Sequence, residues 1–211
     1  MSFRNFVLKR SYVDMDYVYG TLSNKNGENP LNYKKMQENP MNFTIVAMDA
    51  TTGKPVYFNK SNISQDHYDV FKASSSLPFI CKPYFIDNIP YYDGGVGDPI
   101  PLQKAFDEGC DKVIIILTKP KDFIRNSRQD TRISKFIEKK YPNSAKKLRK
   151  RADNYNKTLK LAKKYEKENK VLIIAPDSTC GVKTLTKDLN ALNILYKKGY
   201  KDAEKIKEFI K

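Results

Sequence analysis

An α/β fold is what this sequence predicts, and three neighbouring stretches predict it. Tyr91-Tyr92-Asp93-Gly94-Gly95-Val96-Gly97 brings an apolar segment to a carboxylate beside three glycines in four positions. A proline-started helical pattern follows, with Pro99 and Pro101 at its entrance, Leu102, Ala105 and Phe106 on one face and Gly109 as its stop. Val113 to Leu117 is then an unbroken apolar run, of the kind a strand buried on both faces requires. Strand, glycine corner, helix and strand in that order make an α/β layout, whose functional loops lie at strand ends. At 211 residues the chain is expected to be a single domain, 1–211, with one core.

The elements follow in chain order. Met1 to Leu22 holds Tyr12, Val13, Met15, Tyr17, Val18 and Tyr19 and is expected to be mostly helical. Asp14 and Asp16, two residues apart, point away from each other on a helix and read as capping or surface groups. Ser23 to Pro40 is a polar connector with a helical turn around Tyr33 to Gln37. Phe43 to Asp49 reads as a buried strand, and Thr51-Thr52-Gly53-Lys54 turns it into a second strand, Pro55 to Phe58. Ser64 and Asp66 predict a helix start, with Tyr68, Val70 and Phe71 packing inward and Pro78 ending it. His67 falls in its first turn and reads as an exposed residue rather than a general base. Ser74-Ser75-Ser76 has none of the glycines that a strained nucleophile elbow needs, so it reads as a helix end that lets the turn approach the Asp93 corner. Ile80 to Tyr91 is a hairpin with Asp87-Asn88 at its turn, and it delivers the chain to Asp93.

At that corner the glycines are expected to supply positive φ and to let another group come close. Asp98 reads as a cap for the helix that follows, and Asp49 as the residue where a strand meets a turn. Beyond Val113 to Leu117, residues 119–170 form a basic helical segment: Ile133, Phe136, Ile137 and Tyr141 share one helical face, and Tyr155, Leu159 and Ala162 another after Pro142-Asn143. Lys170 to Pro176 is a further buried strand, parallel to Val113–Leu117 because a helical crossover joins them. Asp177 to Asp188 is a loop. A last helix, Lys187 to Ile210, places Leu189, Leu192, Leu195 and Tyr196 on one face and breaks at Gly199-Tyr200. No internal repeat is present.

Composition narrows the function classes. The net charge is +15, and residues 119–170 hold 19 Lys and Arg against 6 Asp and Glu, so most of the excess is regional. Solvated helix faces account for it most simply, an anionic membrane surface is a second partner, and nucleic acid is not indicated because no aromatic and basic platform accompanies the charge. Cys81, Cys110 and Cys180 are odd in number and widely spaced, and with His67 the sole histidine neither a disulfide framework nor a metal site is suggested. This usage fits a reducing cytoplasm, with peripheral membrane attachment open. No stretch reaches the roughly 18 apolar residues of a membrane span.

Ala73-Ser74-Ser75-Ser76-Leu77-Pro78, then Pro83, then Tyr92-Asp93-Gly94-Gly95 with Pro99-Ile100-Pro101 and Ala105, closely resembles the C-terminal half of bacterial patatin-like phospholipases. The likeness covers most of the chain and is strongest from about Phe43 to Thr118. It implies a three-layer α/β/α fold with a mainly parallel sheet, the N-terminal part of which is missing here. It also implies that Asp93, in the motif Asp93-Gly94-Gly95, pairs with a serine on a Gly-x-Ser-x-Gly elbow to hydrolyse acyl esters of lipids, with no histidine and no cofactor. That elbow does not occur in these 211 residues, so no nucleophile is assigned and the chain is expected to be inactive alone. The alternative is a non-catalytic module whose basic helical face binds membranes or a partner. An unpaired sheet edge left by missing strands makes a homodimer a further expectation.

Overall fold

The computed structural model describes residues 13–183 and 186–211. They divide into two compact units, residues 13–99 with 126–154, and residues 100–125 with 155–211. Each unit has its own sheet.

The first unit is built on four strands: β1 (Ile45–Asp49), β2 (Pro55–Phe58), β3 (Tyr84–Ile86) and β4 (Ile89–Asp93), in the order β2-β1-β4-β3. Every pairing is antiparallel, which corrects the mainly parallel sheet for this half of the chain. For β1 with β2 and for β3 with β4 the reason is local, because connections this short can only reverse the chain. After β1, Asp49 Oδ1 accepts from the backbone N–H groups of Thr51 and Thr52 at 2.7 and 3.0 Å, and Gly53 takes φ +69°. Between β3 and β4, Asp87 and Asn88 both adopt positive φ, 49° and 64°, the pair of values that a two-residue hairpin needs.

Alternation along β1 and β4 then serves two layers of helix. Ala47 and Tyr91 face Ala73 of α3 (Asp69–Ser74) on one side. On the other, Met48, Ala50 and Tyr92 pack with Val96, Ile137, Tyr141, Ala145 and Leu148. Val96 belongs to α4 (Gly94–Gly97), a helical turn continuing directly from β4. Ile137 ends α6 (Arg128–Ile137), and Ala145 and Leu148 lie in α7 (Pro142–Lys167), whose residues up to 154 belong to this unit. The Tyr92 and Tyr141 rings meet edge-on at 5.7 Å. A helix–sheet–helix sandwich thus exists within this unit. The buried Ser144 hydroxyl ties α7 to β1 by donating to the Ala50 carbonyl at 2.6 Å. Ser144→Ala leaves that carbonyl without this donor, and we expect a loss of about 1–2 kcal/mol in chemical denaturation with the slope of the transition unchanged.

The beginning of the unit is less regular. Asp14 caps α1 (Met15–Tyr17), which runs into a π turn, Val18–Leu22; residues 1–12 of the helical stretch expected there lie outside the described residues. Asn32 caps α2 (Tyr33–Glu38). No helix starts at Ser64 or Asp66. Ser64 and His67 bridge across a tight turn in which Asp66 has φ 64°, and the Asp66 carboxylate accepts the Lys25 backbone N–H at 2.7 Å. With Asp66 engaged 41 positions away in sequence, the helix begins later, at Asp69.

The second unit contains α5 (Leu102–Asp107), β5 (Val113–Ile116), the remainder of α7, β6 (Val171–Ile174), α8 (Leu189–Asp202) and α9 (Ile206–Phe209). β5 and β6 pair in parallel, Val113 opposite Val171 through Ile116 opposite Ile174, as a helical crossover requires. Ile115, Leu117, Val171 and Ile173 form a core with Ile100, Leu102, Leu159 and Ala162. Burial of β5 on both faces does not hold throughout: Ile116, at its end, is 72% exposed, although Ile174 opposite it on β6 is buried. Gly109, at φ +89°, stops the chain after α5. Asp188 caps α8 by accepting from the Asn190 and Ala191 N–H groups. α8 then runs unbroken through Gly199 and Tyr200 and yields to a 3-10 turn only at Ala203–Lys205. One glycine in a helix interior costs about 1 kcal/mol, too little to end fourteen residues. Leu189, Leu192 and Tyr196, which share one helical face, are exposed. Residues 184 and 185 of the loop expected over 177–188 lie outside the described residues.

Candidate active site

Asp93 is the last residue of β4, paired with Ala47 of β1, and its N–H donates to the Ser76 carbonyl at 2.9 Å. The serine turn does approach the corner, through its backbone rather than a hydroxyl. Ser76 Oγ donates to the Lys72 carbonyl at 2.7 Å, while Ser75 Oγ shares a hydrogen bond with the Tyr19 hydroxyl. The half-buried Asp93 carboxylate folds forward onto its own turn: Oδ1 accepts the Gly95 N–H at 2.7 Å and caps α4. That bond fixes the carboxylate at the junction between a rigid strand and a helical turn.

The glycines serve close approach and not positive φ, which corrects half of the expectation. Positive φ among the described glycines is confined to Gly53, Gly109 and Gly181, whereas Gly94, Gly95 and Gly97 lie in a helical turn. A Cβ on Gly94 would stand 2.2 Å from the Val46 carbonyl oxygen and 2.5 Å from its carbon, and one on Gly97 would stand 3.2 Å from the Met48 side chain. The turn therefore lies directly against β1. At Gly95 the neighbours differ: a Cβ there would be 3.0 Å from Asp93 Oδ1 and 3.7 Å from Arg151 Nη2.

Arg151 is the residue that sequence reasoning missed. Its Nε–H donates to the Gly95 carbonyl at 2.8 Å, and its Nη1 stands 3.5 Å from Asp130 Oδ1. Both partners are sheltered, with side chains 16% and 6% exposed. The helical spacing offered a hint, since Arg151 follows the buried Leu148 by three positions and lies beside Ala152 on the covered side of α7. Nothing in the sequence separated it from the many basic residues around it.

The two carboxylates nearest the corner in sequence pattern, Asp49 and Asp98, have other partners. Asp49 closes the hairpin turn, as expected, and Asp98 accepts from the Tyr57 hydroxyl at 2.6 Å instead of capping α5. Burial, with a smaller contribution from Tyr141, pushes the Tyr92 phenol well above its ordinary range, so it is neutral beside the corner at physiological pH. Among the described residues no three His, Cys, Asp or Glu gather into a metal-holding group, and the three cysteines are free. No described helix is long and apolar enough to cross a membrane.

A family model described as patatin-like phospholipase matches residues 3–106, the stretch that contains Asp93-Gly94-Gly95 and the whole four-stranded sheet. Residues 3–106 are thus a patatin-like phospholipase segment. The likeness does not extend over most of the chain in that form, because residues 141–211 match a different model, a domain of unknown function, DUF6363. Among curated proteins, an uncharacterised protein of Escherichia coli, YjjU, is 23% identical over 133 residues, which are 63% of this chain and 37% of that protein. An uncharacterised NTE family protein of Mycobacterium tuberculosis is 27% identical over 81 residues, 38% of this chain and 21% of that protein, and one of Mycobacterium bovis matches to the same extent. The chain thus spans less than two fifths of the length of these relatives. The Asp-Gly-Gly corner falls within one family match, and Arg151, which touches it, falls within the other.

Proposed function

We propose that this chain carries the aspartate half of a lipid acyl hydrolase, with Asp93 as the base of a Ser-Asp dyad. The observation that carries this reading is the Asp93 carboxylate, held by the Gly95 N–H at the end of β4 inside the patatin-like segment. In the reaction, Asp93 accepts the proton of a serine hydroxyl as its oxygen attacks the ester carbonyl carbon. The ester C–O bond breaks, and the alcohol leaves with the proton that Asp93 returns. Water then hydrolyses the acyl-serine by the same route. A carboxylate held in place by the backbone needs no histidine to orient it. The serine comes from a Gly-x-Ser-x-Gly elbow that these 211 residues do not contain. We expect the chain alone to leave short p-nitrophenyl esters intact and to escape labelling by a fluorophosphonate probe. Labelling at Ser74, Ser75 or Ser76 would overturn the dyad reading.

A second reading is favoured by one feature of the basic segment. Lys157, Lys160, Lys164 and Lys167 of α7 are all exposed and recur at helical spacing, so they present cations on one side of the helix. Near an anionic lipid surface each contributes about 1 kcal/mol. Such attachment would make the protein a peripheral membrane protein. Sedimentation with phosphatidylserine vesicles is expected to carry the chain down at low salt and to release it at about 0.5 M salt, where the Debye length falls to a few ångströms. Equal binding to neutral vesicles would count against the electrostatic reading.

A further inference from the structure

We propose that Arg151 is a positioning residue for the Asp93 corner, so that the segment matched to a domain of unknown function completes the patatin-like one. The proposal rests on Asp93 being the dyad base for its catalytic meaning, but its geometry stands independently. α4 has only four residues, and Asp93 caps it with a single oxygen. A turn this short, rich in glycine, has little of its own to hold it in place. It gains an anchor from outside: the Arg151 guanidinium, reaching 56 positions back along the chain, donates Nε–H to the Gly95 carbonyl. Gly95 is therefore gripped at both ends of the residue, its N–H by Asp93 and its carbonyl by Arg151.

Arg151 is itself prevented from swinging away. Its Nη1 faces Asp130, a carboxylate that is nearly fully buried and that therefore requires a cation close by. The guanidinium fork suits this double duty, because Nε and Nη1 point along different directions of one rigid plane. On the remaining side, the Cβ position of Gly95 stands 3.7 Å from Nη2 and 3.0 Å from Asp93 Oδ1, so cation and carboxylate flank the same small residue. A side chain there would separate them. Gly95 is thus explained by what must lie across it, where Gly94 is explained by the strand beneath it. The helix that carries Arg151 is seated on the same sheet as the corner, by Ala145, Leu148 and the bond from Ser144 to Ala50.

Hydrogen-exchange mass spectrometry on the 211-residue chain tests this without any turnover. Arg151→Gln is expected to speed exchange of the amides at 93–97 about tenfold or more, with peptides of β5 and β6 unchanged. Arg151→Lys, which keeps the cation but cannot serve Gly95 and Asp130 together, should recover part of the protection. Unchanged exchange at 93–97 in Arg151→Gln overturns the proposal, as does loosening spread equally over the whole chain. Should Arg151→Gln fail to fold, Asp130→Asn frees one side of the latch; a smaller loosening confined to 93–97 supports the proposal and none refutes it. In the serine-bearing protein the same Arg151 variant is expected to lower kcat with little change in KM. If the corner loosens while Asp93→Asn leaves ester hydrolysis intact, the dyad reading falls and the positioning role survives.

Discussion

Asp93→Asn is expected to reduce ester hydrolysis by about a hundred- to ten-thousand-fold in a protein that joins this chain to its serine elbow. The fold should survive, because the amide oxygen of asparagine can still accept the Gly95 N–H and still cap α4. What it cannot do is take a proton, so the loss belongs to the chemical step and kcat should fall with it. Stopped-flow measurement with p-nitrophenyl esters separates the outcomes, since loss of the base suppresses the acylation burst together with the steady state. Melting curves of the two proteins should agree within a few degrees. Full activity in the asparagine variant would remove Asp93 from the dyad, whatever its place in the family pattern.

Gly94→Ala is expected to carry the largest penalty to stability, about 3 kcal/mol or more. The added methyl would come within 2.2 Å of the Val46 carbonyl oxygen, which is backbone in the middle of β1 and cannot rotate aside. Relief requires either that α4 lift from the sheet or that β1 shift, and the second breaks the pairing of Ala47 with Asp93. Either movement displaces the carboxylate, so activity and stability should fall together. Gly199→Ala is the control: a Cβ there meets nothing within 4 Å and the residue lies inside α8, so the change should stabilise the helix by up to about 1 kcal/mol. Urea titrations of the two variants against the parent chain give both numbers. A tolerated alanine at 94 would mean that the turn does not rest on β1 as described.

Much of the fold could be read from short windows of sequence, for reasons that are themselves local. Asp87-Asn88 and Thr51 to Lys54 specify hairpins within a few residues, since turn geometry depends on which residues accept positive φ. The parallel pairing of β5 with β6 follows from the crossover between two apolar runs. Asp93-Gly94-Gly95 could be singled out, and the family with it, because three glycines beside a carboxylate are rare where packing alone is at stake.

What could not be read in this way involves partners far apart in the chain. Asp66 reads as a helix start and instead binds the Lys25 N–H; Ile116 reads as part of a buried strand and is exposed; Gly199 reads as a break and is absorbed by α8. In each case propensity is worth about 1 kcal/mol or less, and long-range contacts, or their absence among the described residues, outweigh it. The corner shows the division most clearly. The sequence by itself determined that residue 93 is a carboxylate beside glycines and that the segment around it is patatin-like. Only the tertiary structure decided why the glycines are needed, through the Val46 carbonyl beneath Gly94, and which cation grips Gly95, through Arg151 56 positions away. Hydrogen bonds and steric exclusion act over about 3 Å of space whatever the separation in sequence, and it is folding that brings such groups within that range.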